Sequence, residues 1–473
     1  MHTLKFNEAL RLAGEVACAS ALPAQPRVGL VRDIYGRLRF AVDAHRPKGL
    51  SEDGDDDYDG EAPIPDALRF PLDAHQMLVA GAARLGAYAT TTEVLYREDF
   101  SNPAALFENA DWHETTLPSF EDSEGTIQPE LTVRLLDRQI TGQDWLRPPV
   151  DAPSHPHRVV FFGLKGGVGR STALSMVAWG LARQGKTVLL IDFDLESPGL
   201  SSLVLPPERV AEFGIVDWLV EDAVGQGDSV LGAMVSASPL AETTTGAIRV
   251  AAAMGQQEQD YLAKLARAYA DVPGTNGPVR MGARMRQLVE LLEARERPDV
   301  VLIDSRAGLH DLAAVAITSL ADTALLFATD SAQTWSGFRQ LFSHWQRRRG
   351  VVAHVRDRLA VVRALTPKSD REHGVKRFQD RSYKLFAETL YDEIPPQSET
   401  VGTAAADALD LFHPSEADEA APHYPILVDW DDRFLEFDPG LRPEQGGATE
   451  AQVDATFGGL IQWVSQRTSE VNA

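Results

Sequence analysis

Arg158-Val-Val-Phe-Phe-Gly-Leu-Lys165-Gly-Gly-Val-Gly-Arg170-Ser171-Thr172 decides how this chain is read. Arg158 to Phe162 is a short, largely apolar run of the kind a strand buried on both faces requires. Gly166, Gly167 and Gly169 follow at once. A loop without side chains exposes its backbone N–H groups, and a helix starting directly after it adds the positive end of its dipole. Together they suit a polyphosphate. Ala173 to Gln184 supplies that helix, with Leu174, Val177, Ala178 and Leu181 at helical spacing on one face. Ser171 puts a hydroxyl where a Mg²⁺ ion on such phosphates would sit. The expected nucleotide-binding residues are therefore Lys165, Gly166, Gly167, Val168, Gly169, Arg170, Ser171 and Thr172, and the expected ligands are ATP and Mg²⁺.

Two positions depart from the ordinary G-x-x-x-x-G-K-[ST] loop: Leu164 replaces the first glycine and Arg170 the lysine, while Lys165 opens the loop. Two further apolar runs end in carboxylates. The first is Val188-Leu-Leu-Ile-Asp192-Phe-Asp194-Leu-Glu196-Ser-Pro-Gly199. Asp192 and Asp194 thus fall at the C-terminal end of a strand, where such sheets bind ligands. The second is Pro298-Asp-Val-Val-Leu-Ile-Asp304-Ser-Arg306-Ala-Gly308. A strand ending in Asp304 is the Walker B arrangement, in which the carboxylate orients the water ligands of the metal. Gly308 lets the following switch loop approach a γ-phosphate. Arg306 has two readings: stabilising charge on that phosphate, or pairing with a nearby carboxylate.

These three motifs resemble those of the ParA/MinD superfamily, whose deviant Walker A loop reads K-G-G-x-G-K-[ST]. The resemblance covers about residues 158–400 and points to the branch with K-G-G-x-G-R-[ST], D-L-E-[AS]-P-G and D-S-R-x-G. It implies that Lys165 reaches across a nucleotide-sandwich homodimer to the partner's phosphates. It also implies that Asp192 lies near the Mg²⁺ shell and Asp194 near the attacking water. On that basis Lys165, Asp194 and Arg170 are the candidate catalytic residues, Ser171, Asp192 and Asp304 the metal site, and Arg306 and Gly308 the switch. The family commonly has proline where Arg306 stands. Arginine at 170 keeps the charge and can fork onto phosphate oxygens, but it is bulkier than lysine, so binding should survive while hydrolysis slows. The implied activity is a slow, dimerising switch ATPase acting on an unidentified partner protein, in bacterial defence or signalling. A nucleotide-loaded scaffold with negligible turnover and a DNA-partition ATPase stand as alternatives.

Further runs at Thr187–Ile191, Val300–Ile303, Ala324–Ala328 and Leu359–Val362 alternate with helical segments. That alternation predicts an α/β fold with a doubly wound, mostly parallel sheet. Residues 200–297 look mostly helical, notably Tyr261–Ala270 and Met281–Arg297, and are expected to form an insertion. Arg147 to His157 holds four prolines in eleven residues, as a linker would. The expected domains are a small α/β accessory domain over 1–146, a linker over 147–157 and the P-loop domain over 158–473. In the first, Val28 to Val42 reads as a hairpin around Tyr35-Gly36, with a helix over 72–86 and a strand over 130–138.

A formal net charge of −24 argues against broad adhesion to nucleic acid or anionic membrane. One segment runs against it: Arg339 to Lys384 carries 13 Lys/Arg and 4 Asp/Glu. It is either a DNA-binding patch or a face docking the chain's own acidic groups. One cysteine, Cys18, allows no intramolecular disulfide. Without a long apolar window or a signal-like start, the expectation is a cytoplasmic protein that does not attach to membranes. The helix candidate Glu450–Arg467 carries Val453, Phe457, Leu460, Ile461 and Val464 on one stripe and few cations, which favours core packing over a membrane anchor. The acidic residues Asp55, Asp57 and Asp59 only faintly echo a calcium loop, because Pro63 and Pro65 interrupt it. The histidines show no metal-binding spacing, and the C-terminus has no tyrosine-rich tail.

Overall fold

The computed structural model describes residues 3–20, 28–50, 65–121, 125–147, 155–256, 260–274, 277–394, 411–435, 437–438 and 447–470. Asp55, Asp57 and Asp59, and most of the proline-rich stretch, lie outside the described residues. The chain divides into two compact units, Met1–Ile140 and Thr141–Ala473.

In the first unit β1 (Val28–Arg32) and β2 (Leu38–Val42) form an antiparallel hairpin. Gly36 turns it at φ 86°, a conformation that glycine adopts without strain. With β3 (Ala89–Leu95), β4 (His113–Leu117) and β7 (Leu131–Asp137) they make a mixed sheet of order β3-β2-β1-β7-β4. β5 (Phe120–Glu121) and β6 (Ile127–Gln128) pair separately. α1 (Phe6–Ala19) and α2 (Leu72–Arg84) share a core with the sheet. α1 buries Ala9, Leu10, Ala13, Val16 and Ala17 at helical spacing. Gly81 of α2 lies against Val16, so the small residue lets the two helices approach. α3 (Ala104–Phe107) helps cover a smaller cluster containing Leu95 and Leu136.

The second unit is built on β8 (His157–Gly163), β9 (Thr187–Asp192), β10 (Val235–Ala237), β11 (Ala247–Ala251), β12 (Val300–Asp304), β13 (Thr323–Ala328), β14 (Leu359–Thr366) and β15 (Ile426–Asp429). Their order is β10-β11-β9-β12-β8-β13-β14-β15, parallel throughout except for β10. β8 lies inside the sheet, and all seven of its residues are buried. Both faces are covered. On one lie α4 (Arg170–Arg183), α5 (Leu200–Val204) and the C-terminal helix, here α14 (Glu450–Glu470). On the other lie α6 (Ile215–Ala223), α9 (Met281–Glu296), α11 (Ala332–Gln346) and α13 (Arg371–Thr389). This is the doubly wound α/β architecture. The stripe Val453, Phe457, Leu460, Ile461 and Val464 of α14 is buried in that core, where Gly180 of α4 allows Ile461 to approach. No helix of the described residues is long and apolar enough to cross a membrane.

Two expectations need correction. Residues 200–297 are not simply a helical insertion. Besides α5, α6, α7 (Gly227–Leu231), α8 (Tyr261–Ala268) and α9, they contribute β10 and β11, which extend the main sheet beyond β9. Ala247-Ile-Arg-Val-Ala251 is too short and alanine-rich to signal a strand alone; pairing with Thr187–Ile191 makes it one. Gly246 before it sits against the carbonyls of Lys186 and Ala182, an approach that a side chain would block. The unit boundary also falls at 140/141 rather than after 146. Residues Gln143–Leu146 form a short turn that buries Trp145, 4% exposed, in the core of the second unit. Trp345 Nε1 donates to the Trp145 carbonyl at 2.9 Å.

Candidate functional site

The site lies at the C-terminal ends of β8, β9 and β12. Gly167 and Gly169 have φ of 73° and 74°, and Gly169 caps α4. A Cβ on Gly166 or Gly167 would meet no atom within 4 Å, so these glycines face an open cradle that side chains would fill. The first turn of α4 directs N–H groups without intrahelical acceptors to the same place. Lys165 to Thr172 line one wall of a cavity of about 290 Å³. Leu365, Trp430, Asp431, Phe434, Leu435 and Phe457 are among those lining the rest.

β9 and β12 are neighbours in register, with Asp192 directly opposite Asp304. Two carboxylates at adjacent strand ends repel unless a proton or cation intervenes. Asp192 is fully buried and accepts N–H groups from Asp194 (3.1 Å) and Leu200 (3.3 Å). Burial, followed by the charge on Asp304, pushes its carboxyl well above the ordinary carboxylate range. Burial also raises Asp194, against the pull of the Arg170 guanidinium.

Arg170 supplies the countercharge. It donates from Nε to Asp304 at 2.6 Å and from Nη2 to Asp194 at 3.1 Å, while the Ser171 hydroxyl donates to the second Asp304 oxygen. The Arg170 residue is 7% exposed, and its third nitrogen, Nη1, is buried without a hydrogen-bond partner among the described residues. Burial alone would lower its pKa, but Asp304 and then Asp194 hold it above the usual value. The residue expected to fork onto phosphate is thus turned onto the carboxylates expected to serve metal and water.

Arg306 takes the second of its two readings in this structure: it pairs with Glu196. The Tyr269 hydroxyl donates to the same Glu196 oxygen, and His310 Nε2 lies 3.7 Å from it. Tyr261 donates to the Leu195 carbonyl at 2.6 Å. Gly308, at φ 88°, donates its N–H to the Gly163 carbonyl at 3.0 Å, tying the loop after β12 to the end of β8. Sequence reasoning brought Arg170, Ser171, Asp192, Asp194 and Asp304 to one place, and the structure joins them. It missed Glu196, Tyr261, Tyr269 and His310, as well as the aromatic cavity wall. Glu196 stood inside a recognised motif; the tyrosines lie on a helix whose docking no local pattern reveals.

The basic segment is largely matched by the chain's own acids. Arg377 and Arg381 both bind Asp330, Arg356 binds Asp392, Lys376 binds Glu416 and Arg339 binds Glu388. Arg348 donates to the Leu146 carbonyl at 2.6 Å, and Arg363 is 5% exposed.

A glycine cradle at the head of a doubly wound sheet, with aspartates ending the adjacent strands β9 and β12, gives the second unit a P-loop α/β fold. Residues 157–349 match the family model described as an AAA domain, a match that includes the loop and both aspartate motifs. No curated protein matches the chain. Among solved structures, it is similar to a ParA family ATPase from Chlorobium tepidum TLS at 15% identity and TM-score 0.35, over 51% of this chain and 85% of that one. It is similar to pNOB8 ParA bound to nonspecific DNA at 14% identity and TM-score 0.38, over 67% and 98%. It is also similar to the cobyrinic acid a,c-diamide synthase of Mycobacterium smegmatis with bound ADP and magnesium at 18% identity and TM-score 0.34, over 54% and 94%.

Proposed function

We propose that this chain is an ATP- and Mg²⁺-dependent switch ATPase of slow turnover that closes as a homodimer in the cytoplasm and regulates or recruits a partner protein. The bacterial defence or signalling setting implied by the sequence resemblance belongs to the same proposal. The observation that carries it is the open glycine cradle in front of α4, with Ser171, Asp192, Asp194 and Asp304 gathered beside it.

The residues fit both ligands. Backbone N–H groups of Gly166 to Thr172 would hold the phosphates, and the apolar wall around Trp430 and Phe434 would take the nucleoside. Ser171 and Asp304, already hydrogen-bonded to each other, would hold Mg²⁺, with Asp192 supporting the shell. Bound there, the ion supplies positive charge to the phosphate oxygens. Asp194 would orient the water, and Lys165 would reach the phosphates of the second subunit.

Turnover of ATP by the purified chain, compared with Asp194→Ala, tests this reading. Slow hydrolysis lost in the variant is expected; no hydrolysis in either removes the enzyme and leaves a nucleotide-binding scaffold. One observation favours that second reading: Arg170 is paired with Asp304 and Asp194, the carboxylates that the enzyme reading assigns to metal and water. For the partition reading, DNA binding that weakens with salt and is lost in Arg347→Glu would be needed.

A further inference from the structure

Glu196 lies two residues after Asp194, and Arg306 two residues after Asp304. Their ion pair therefore joins the two loops that follow the aspartate-bearing strands β9 and β12. Helix α8 joins at the same point, because Tyr269 at its C-terminal end binds the Glu196 oxygen that Arg306 uses. Two helical turns earlier Tyr261 holds the neighbouring Leu195 carbonyl. The second Glu196 oxygen, Oε2, is buried and has no hydrogen-bond partner among the described residues. Arginine gains most from a carboxylate or phosphate that it engages through two oxygens. Arg306 is held by one.

The helix behind this contact is weakly rooted. Ala268 is the only residue of α8 itself that is buried, and Leu262 is 79% exposed. Tyr261, Leu265 and Tyr269 pack only half-buried against the core, and polar contacts complete the hold: Tyr261 to Leu195, Tyr269 to Glu196, and Lys264 to Asp217 at 2.6 Å. Elements with few buried apolar contacts are the ones that move at low free-energy cost.

We propose that Glu196 is a positioning residue for Arg306. It holds the guanidinium on its own carboxylate, off the phosphate cradle, and α8 sets the strength of that hold through Tyr269. The third phosphate of ATP then competes with Glu196 for Arg306, whereas ADP offers no such competitor. This rests on the nucleotide reading above and adds a basis for telling ATP from ADP, with α8 as the input through which a partner would act.

The test is a fluorescence titration of the full chain, in Mg²⁺, with N-methylanthraniloyl-ATP and -ADP. Glu196→Gln keeps the shape and removes the charge, so the preference for the triphosphate should rise by roughly 5-fold or more, the scale of a typical coupling between two sites. Tyr269→Phe should shift it the same way by less. In an Arg306→Ala background, Glu196→Gln should change nothing. An unchanged preference in Glu196→Gln, or an equal change without Arg306, overturns the proposal. Should melting curves show that Glu196→Gln does not fold, Tyr269→Phe with and without Arg306 decides by the same criterion. Wild-type chain that binds neither nucleotide overturns the nucleotide reading and this inference together; wild type that binds both, with insensitive variants, overturns only the inference.

Discussion

Arg158 enters β8 at its N-terminal end, and Arg170 follows the glycine loop at the other end of the same strand. Arg158 forks onto both oxygens of Glu293 at 2.7 and 2.6 Å, with side chains 2% and 6% exposed. Arg170 is nearly as buried, but it divides its donors between Asp304 and Asp194 and leaves Nη1 unpaired. The first pair is complete and fixes α9 to the central strand. The second divides one cation between two carboxylates and leaves a donor over. Burial alone therefore does not separate structural from functional ion pairs. Whether the hydrogen bonds and charges close within the group does.

Breaking the closed pair should have the largest effect. Glu293→Ala leaves a buried guanidinium without its partner and should cost ~3–5 kcal/mol in denaturant unfolding, unaltered by Mg²⁺. A loss under ~1 kcal/mol would mean that the fork does not hold α9. Arg170→Ala should cost less, about 2 kcal/mol, on the scale of lost charged hydrogen bonds. Its deficit should shrink in millimolar Mg²⁺ or at lower pH, because the aspartates then gain another partner. A deficit blind to both would erase the distinction between the two arginines.

Asp192 sharpens the same contrast through pH. Its folded pKa lies above the ordinary 3.8, mainly through burial. Between those two values the folded chain holds more protons than the unfolded one. This contribution to stability is therefore full below the unfolded value and is lost as pH rises through the folded one. Asp192→Asn should flatten that decline in urea midpoints, so its stability relative to wild type should increase with pH in the absence of Mg²⁺. A parallel pair of pH profiles would contradict this. At the small end, Arg209 and Glu242 form a pair with side chains 45% and 56% exposed. Arg209→Ala should change stability by ~0–1 kcal/mol and give the reference for an ion pair that water already screens.

Much of the P-loop unit was legible in the order of residues. The run at 158–162, the glycines at 166, 167 and 169, and the aspartates ending the strands near 192 and 304 carry short-range requirements: burial on both faces, positive φ and a strand terminus at the crevice. These act within a few residues, so the local sequence must state them. The strand at 247–251 was not legible, because pairing with β9 gives it its conformation. Nor was the capture of Trp145 by the second unit, where aromatic neighbours from β8 and α11 make its pocket.

The sequence by itself determined the glycine cradle, the strands that deliver its aspartates and the doubly wound arrangement around them. Tertiary structure alone decided that Arg170 lies on Asp304 and Asp194, and that Glu196 gathers Arg306, Tyr269 and His310. The physical reason is reach. Backbone geometry is dictated residue by residue, whereas a long charged side chain chooses among several partners, and those partners come from segments separated by many tens of residues.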